Sequence, residues 1–147
     1  MIEYGSVLCV AGDSEPLEKT EIEAAKLARL SGGRLVLLHV VEKWRNSDFV
    51  TTDSPEWKAV HETWLAEALA LLDKKEEFLR SQGLYSIKKV IRSGEKACET
   101  IAVAVEQNVS LIVIPNYHSW SIKGFLANAF TNDIIANSPC PVLWVNE

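Results

Sequence analysis

The stretch SGGRLVLLHVVE, residues 31–42, contains an apolar run from Leu35 to Val41 that is rich in Val and Leu. A continuous apolar run without polar alternation is typical of a strand that is covered on both faces. The small residues Gly32 and Gly33, just before the run, are expected to end a helix. This stretch therefore predicts an interior strand of a parallel sheet with helices above and below it.

On the N-terminal side, Val7 to Ala11 is a second short apolar run and predicts the first strand. Between the two strands, Ser14 is a candidate helix cap and Pro16 suits a first helical turn. The helix itself is predicted by apolar residues at helical spacing, which are Leu17, Ala24, Leu27 and Ala28.

On the C-terminal side, helical and strand patterns continue to alternate. Ser54-Pro55 opens a long helix that Gly83 closes, and its run DKKEEFLR, residues 73–80, is interpreted as a solvated face with i,i+3 and i,i+4 ion pairs. The remaining segments are a strand over Tyr85–Ile91, a helix over Ala97–Gln107, a strand over Leu111–Ile114, a polar loop over Pro115–Gly124, a helix over Phe125–Asn137 and a strand over Val142–Val145.

The alternation predicts a single α/β domain over residues 1–147. Its core is an open, doubly wound, Rossmann-like parallel sheet of five strands with helices on both faces. Ligands of such folds bind outside the carboxyl ends of the strands. The loops to examine are therefore Gly12–Glu15, Val40–Asn46, Arg92–Lys96 and Pro115–Asn128.

Composition excludes several classes of function. The net charge is −5, and clustered Lys and Arg of the kind that bind nucleic acid or anionic membranes are missing from the sequence. The sequence contains no apolar stretch that approaches a membrane span, and its first residues do not resemble a signal peptide. Three separated cysteines without a CxxC motif indicate reduced thiols in a cytoplasmic protein, and they show no metal-ligand spacing with the histidines.

Each histidine has an ordinary interpretation beside a functional one. His39 lies in an apolar strand and is interpreted as a packed histidine. His61 lies between Trp57 and Trp64 on the long helix, where such a cluster packs more often than it catalyses. The tryptophans leave open a second interpretation, an exposed surface that binds a partner. His118 lies in a polar loop that is either a solvated surface or, with Lys123, a remodelled phosphate site.

Three segments together resemble the universal stress protein family. VLCVAGDSE, residues 7–15, is similar to the family's first strand and acidic turn, and residues 31–42 are similar to its second strand, which ends in His-Val. SPCPVLWV, residues 138–145, is similar to the family's C-terminal Pro-Cys-Pro-Val-Leu-Val-Val. The resemblance implies the five-stranded parallel sheet described above and a homodimer.

The resemblance also implies an ATP motif, Gly-x-x-Gly, a nine-residue gap and Gly-Ser/Thr, in which glycines let backbone N–H groups approach phosphates. Aligned backward from residues 138–145, its positions fall on Pro115, His118, Asn128 and Ala129, and none matches. The family's acid at the first turn falls on Gly12, whereas the strand-end residue whose backbone faces the base falls on Val40 as expected. The motif is therefore predicted to be degenerate, with no cofactor bound.

The last strand is the predicted dimer interface. It would place Val142 and Trp144 on one face and Leu143 and Val145 on the other, which would be hazardous at an uncovered sheet edge. The resemblance implies that this strand pairs with its copy across a two-fold axis. The alternative is a monomer whose edge the C-terminus shields.

The sequence thus predicts a homodimeric regulatory or adaptor protein of the stress-protein type, not an enzyme. It would bind an unidentified protein partner through either the tryptophan-bearing long helix or the loop over Pro115–Gly124. One alternative is a member with a remodelled phosphate loop that binds a nucleotide such as ATP or AMP. Another is an enzyme of a related fold, such as a nucleotidyl transferase. Those enzymes carry His-x-x-His or His-x-Gly-His near the first helix, and this sequence contains neither motif.

Overall fold

The computed structural model describes residues 5–42, 55–116 and 122–147, and residues 122–128 as backbone only. The five strands are β1 (Ser6–Val10), β2 (Arg34–Glu42), β3 (Ile87–Gly94), β4 (Leu111–Asn116) and β5 (Val142–Asn146). The four helices are α1 (Lys19–Leu30), α2 (Pro55–Ser81), α3 (Lys96–Glu106) and α4 (Ile122–Asn137).

The strands form one parallel sheet in the order β3-β2-β1-β4-β5. The chain winds outward from β1 in both directions, so the strand order reverses between β1 and β4. This arrangement confirms the predicted α/β class, and it makes the carboxyl ends of β1 and β4 the expected ligand edge.

Alternate residues of the central strands point to opposite faces, and each face has its own hydrophobic core. One core contains Cys9 and Leu37 with residues of α1 and α2, and the other contains Leu8 and Val36 with residues of α3 and α4. Strands that are buried on both faces have no polar side to show, which explains their continuous apolar runs.

The start of α1 differs from the prediction. The helix begins at Lys19 with Glu18 as its N-cap, so Ser14 is not a cap and Pro16 is not in the first turn. The side chain of Glu21 accepts a hydrogen bond from the backbone N–H of Glu18, at 2.8 Å. A carboxylate three residues into the helix thus satisfies the cap, and the turn after β1 is longer than expected.

Other boundaries also shift. β3 begins and ends later than predicted, at Ile87 and Gly94, and α4 begins at Ile122, before the expected Phe125. β4 continues through Pro115 and Asn116, residues that the sequence assigned to a loop. Pro115 lies opposite Val145 of β5 and beyond Val113, the last residue of β4 that is paired with β1, so at this position β4 has a strand on one side only.

The interpretation of residues 73–80 as a solvated face is only partly right. Arg80 pairs with Glu76 at i,i+4 as expected. Lys75, however, is 0% exposed and lies on the same buried stripe of α2 as Leu72 and Leu79. Among the described residues, no helix is long and apolar enough to cross a membrane.

Candidate functional site

The turn after β1 lies at the carboxyl edge of the sheet and is closed by carboxylates from α1. The backbone N–H of Gly12 donates to Oε2 of Glu21 at 2.8 Å. A Cβ at position 12 would overlap the carboxylate of Glu18, which is only 7% exposed. Glycine is therefore required at position 12, because the side chain of Glu18 occupies the space that the Cβ of any other residue would need.

Glu21 and Lys75 form a buried ion pair beneath this turn. Nζ of Lys75 lies 2.7 Å from Oε1 of Glu21, and both side chains are 0% exposed. Nζ also donates to the carbonyl oxygen of Ser14 at 2.7 Å. One carboxylate and one ammonium thus join the β1 turn, α1 and α2.

Burial raises the pKa of Glu21, because a charged carboxylate loses hydration inside the protein. Hydrogen bonds from Lys75, Glu18 and Gly12 oppose this effect and lower the pKa. Three donors, one of them the cation Lys75, therefore compensate a carboxylate that would otherwise be costly to bury.

The N-terminus of α1 is also bound to a protein carboxylate. Oε2 of Glu147 accepts hydrogen bonds from the backbone N–H of Thr20 at 2.8 Å and from its hydroxyl at 2.6 Å. Oε1 accepts from the N–H of Lys19 at 3.3 Å. The backbone N–H of Glu147 donates to the carbonyl of Asn116, at the end of β4. A helix N-terminus attracts anions, and here Glu147 supplies the anion.

The edge between β1 and β4 is thus rich in carboxylates, and its backbone N–H donors are already occupied. Three carboxylates, from Glu18, Glu21 and Glu147, surround it, and Lys75 is the cation that pairs directly with one of them. The N–H groups of Gly12, Lys19 and Thr20 are already hydrogen-bonded to these carboxylates. A phosphate would meet negative charge and would have to displace these bonds.

The structure brings some of the sequence-predicted site residues to one edge. Gly12 follows β1, and the buried residues Val40 and Pro115 lie near the carboxyl ends of the neighbouring strands β2 and β4. Ala129 is exposed on α4. Asn128 lies in the backbone of α4, its side chain is not among the described parts, and His118 lies outside the described residues.

Sequence reasoning missed Glu21, Lys75 and Glu147. For Lys75 a signal existed, because Ala68, Leu72, Lys75 and Leu79 follow helical spacing and form one buried stripe. Glu21 stands three residues after Glu18, as a capping carboxylate does. For Glu147 the sequence gives no signal, because its partners are more than a hundred residues away.

The cysteines and histidines form no metal site in the parts of the chain that the structure describes. Cys9 is buried in β1 as predicted, and desolvation raises the pKa of its thiol, which favours the unreactive protonated form. His39 is half-buried in β2.

The predicted dimer residues lie on the outermost strand. Val142 and Val145 pack against opposite cores, as the alternation predicted. Leu143 is 36% and Trp144 49% exposed, so the edge strand presents apolar side chains to its surroundings.

An open parallel sheet with its reversal point between β1 and β4 defines a doubly wound α/β protein. The model of the universal stress protein family matches residues 3–146, and the chain belongs to this family. No curated protein matches the chain.

Solved structures agree in fold. The universal stress protein UspA from Lactobacillus plantarum is 20% identical, with 99% of each chain covered and a TM-score of 0.82. A universal stress protein in complex with cAMP is 17% identical, with 98% of each chain covered and a TM-score of 0.70. The universal stress protein from Archaeoglobus fulgidus in complex with dAMP is 22% identical, with 98% of each chain covered and a TM-score of 0.64.

Proposed function

We propose that this chain is a regulatory or adaptor member of the universal stress protein family that does not bind ATP with useful affinity. The observation that supports this most is the occupation of the ligand edge by the protein's own carboxylates. Glu21 holds the N–H of Gly12 and Glu147 holds the N–H groups at the start of α1. A phosphate that bound at the start of α1 would have to displace these hydrogen bonds.

The sequence at the positions of the family's ATP motif supports the same proposal. Pro115 has no backbone N–H, and Ala129 has no hydroxyl. Each lost hydrogen bond costs about 1 kcal/mol, and somewhat more when the acceptor is charged. Three or four such losses amount to about 4 kcal/mol, or roughly a thousandfold in affinity.

Isothermal titration with Mg-ATP tests this proposal, and we expect no binding in the low-micromolar range. Glu147→Gln tests whether the charge of Glu147 excludes ATP, because the variant removes the charge that caps α1 and keeps an oxygen acceptor. Low-micromolar binding of ATP by the natural chain would contradict the proposal.

The alternative is a member that binds a nucleotide other than ATP through a remodelled loop. Two structural neighbours are complexes with cAMP and dAMP, and Glu18 places a carboxylate against Gly12, where the family's acid would begin. Thermal shifts with AMP, cAMP and adenosine distinguish the two functions. A ligand at a hundredfold excess over its Kd stabilises by about 2.7 kcal/mol, whereas an unbound nucleotide leaves Tm unchanged.

As an adaptor, the protein would act as a homodimer through β5. The support is the exposed apolar edge, because an uncovered strand with Leu143 and Trp144 would otherwise invite aggregation. Trp144→Lys is expected to convert the dimer to a folded monomer in sedimentation experiments. Tyr85→Lys, at another exposed aromatic, is the control and should leave the dimer intact.

The long helix is a weaker candidate for the partner surface than its tryptophans suggested. Trp57 is only 6% exposed and therefore belongs to the packed interior. Val60, Leu69 and Phe78 are the large apolar side chains that α2 exposes. The loop over residues 115–124, the other predicted partner surface, lies largely outside the described residues.

A further inference from the structure

A serine and a histidine meet at the other end of the ligand edge. Nε2 of His61, on α2, lies 2.7 Å from Oγ of Ser93, near the end of β3. Both side chains belong to residues that are partly exposed. This distance is within the range in which a histidine can take a proton from a hydroxyl.

The imidazole is positioned by an aromatic pair. The ring of Trp57 stacks on that of His61, with centroids 5.5 Å apart and an interplanar angle of 22°. Trp64 packs edge-on against Trp57 at 6.1 Å. Because Trp57 is buried, it restricts the ring of His61 from one side and leaves Nε2 directed at the hydroxyl.

Ser93 is the second-last residue of β3 and lies just before the connection to α3. Ser93 is followed by Gly94, which has a φ of +152°, and α3 begins at Lys96. A Cβ at Gly94 would crowd the side chain of Glu99, so a larger residue is disfavoured there. The hydroxyl of Ser93 therefore lies at the carboxyl edge of the sheet, where ligands of such folds bind.

We propose that Ser93 is a nucleophilic acyl acceptor, with His61 as its general base, for small activated carboxylic esters and thioesters. Oγ of Ser93 attacks the carbonyl carbon and Nε2 of His61 takes the hydroxyl proton. The tetrahedral intermediate collapses with cleavage of the bond to the leaving alkoxide or thiolate, which receives the proton from His61. The product is an acyl ester on Ser93. The inference goes beyond the proposed regulatory function and does not depend on it.

The main competing nucleophile is Cys98, which is exposed on the first turn of α3. A hydrogen bond with the carboxylate of Glu95 raises the pKa of this thiol. The thiolate, which is the reactive form, is therefore disfavoured. An acyl group on Cys98 would nevertheless be easy to mistake for one on Ser93, so both residues need to be substituted.

The test uses p-nitrophenyl acetate with the full chain, following release of p-nitrophenolate and mapping acetylated peptides by mass spectrometry. We expect acetyl on Ser93, and a loss of roughly a hundredfold in the acetylation rate in Ser93→Ala and His61→Gln, since general-base catalysis contributes at least this much. Cys98→Ser and Ser81→Ala are matched controls, because Ser81 is an exposed hydroxyl on α2, and both should react like the natural chain.

The side chain introduced by His61→Gln can still hydrogen-bond to Ser93 but cannot take its proton. The variant therefore distinguishes a role of His61 in proton transfer from a role in hydrogen bonding alone. Circular dichroism melting of each variant checks that the fold is retained. Acetyl on Cys98 or lysines in place of Ser93 would overturn the inference. An unchanged rate at Ser93 in folded His61→Gln would overturn it equally.

Discussion

The two ends of the ligand edge use polar residues in opposite ways. At the end of β1, Glu21 and Lys75 are both fully buried and join three elements. At the end of β3, Ser93 and His61 are partly exposed and form a single hydrogen bond without a formal ion pair. The first group is enclosed by the fold, whereas the second remains open to its surroundings.

This difference separates structural from chemical roles. A buried ion pair is expensive to break, because removing one partner leaves the other charge without hydration. A partly exposed hydrogen bond is inexpensive to lose, because water can replace it. The β1 group therefore stabilises the turn, and the β3 group has the freedom to meet a substrate.

The largest effect is expected from Lys75→Met. The variant leaves the carboxylate of Glu21 buried without its cation and removes the hydrogen bond to the carbonyl of Ser14. We expect the free energy of unfolding, measured with urea, to fall by about 3–5 kcal/mol. Combining it with Glu21→Gln should recover part of this loss, since the uncompensated charge is then gone.

The neighbouring lysine provides the control. Lys74 pairs with Glu15 at 3.4 Å, and both side chains are at least half exposed. Lys74→Met should change the free energy of unfolding by less than about 0.5 kcal/mol, because exposed ion pairs contribute little. Equal losses at positions 74 and 75 would show that the buried pair has no special role.

These two adjacent lysines also show what the sequence could predict. Apolar runs such as Leu35 to Val41 predict the class of fold correctly. Strands that are covered on both faces have no polar alternation, so their sequences are continuously apolar. The charge of Lys75 predicts an exposed side chain, and this prediction is wrong because its partner Glu21 lies 54 residues away along the chain. A contact between distant segments is determined by the fold, so local patterns cannot show it. The meeting of Ser93 with His61 was missed for the same reason.

The second effect is a pH dependence due to Glu21. Burial raises the pKa of Glu21 in the native state above the ordinary 4.5. At a pH between 4.5 and this raised pKa, the native state holds a proton that the unfolded state has lost. The contribution of Glu21 to stability is therefore complete below pH 4.5 and is lost as the pH rises through the raised pKa. The difference in unfolding free energy between the natural chain and Glu21→Gln should fall with increasing pH over this interval. A difference that grows with pH would contradict the sign.

The third effect concerns the cap of α1. Glu147→Gln removes the charge that accepts hydrogen bonds from Thr20 and Lys19. We expect a loss of about 1 kcal/mol in urea unfolding, as for other helix caps. Glu106→Gln, which breaks the partly exposed pair with Arg92, is the control and should have a smaller effect. If both variants lose the same free energy of unfolding, the contact of Glu147 with α1 is no stronger than a surface ion pair.

The smallest effect is expected at the end of β3. Ser93→Ala and His61→Gln each remove or weaken one hydrogen bond between partly exposed groups. Each should lower the free energy of unfolding by about 1 kcal/mol or less, because water can hydrate the group that remains. A loss as large as that of Lys75→Met would mean that Ser93 and His61 form a structural contact, and the contrast between the two ends of the edge would fail. A small loss with a large effect on acetylation would show that the hydrogen bond serves reactivity and contributes little to folding.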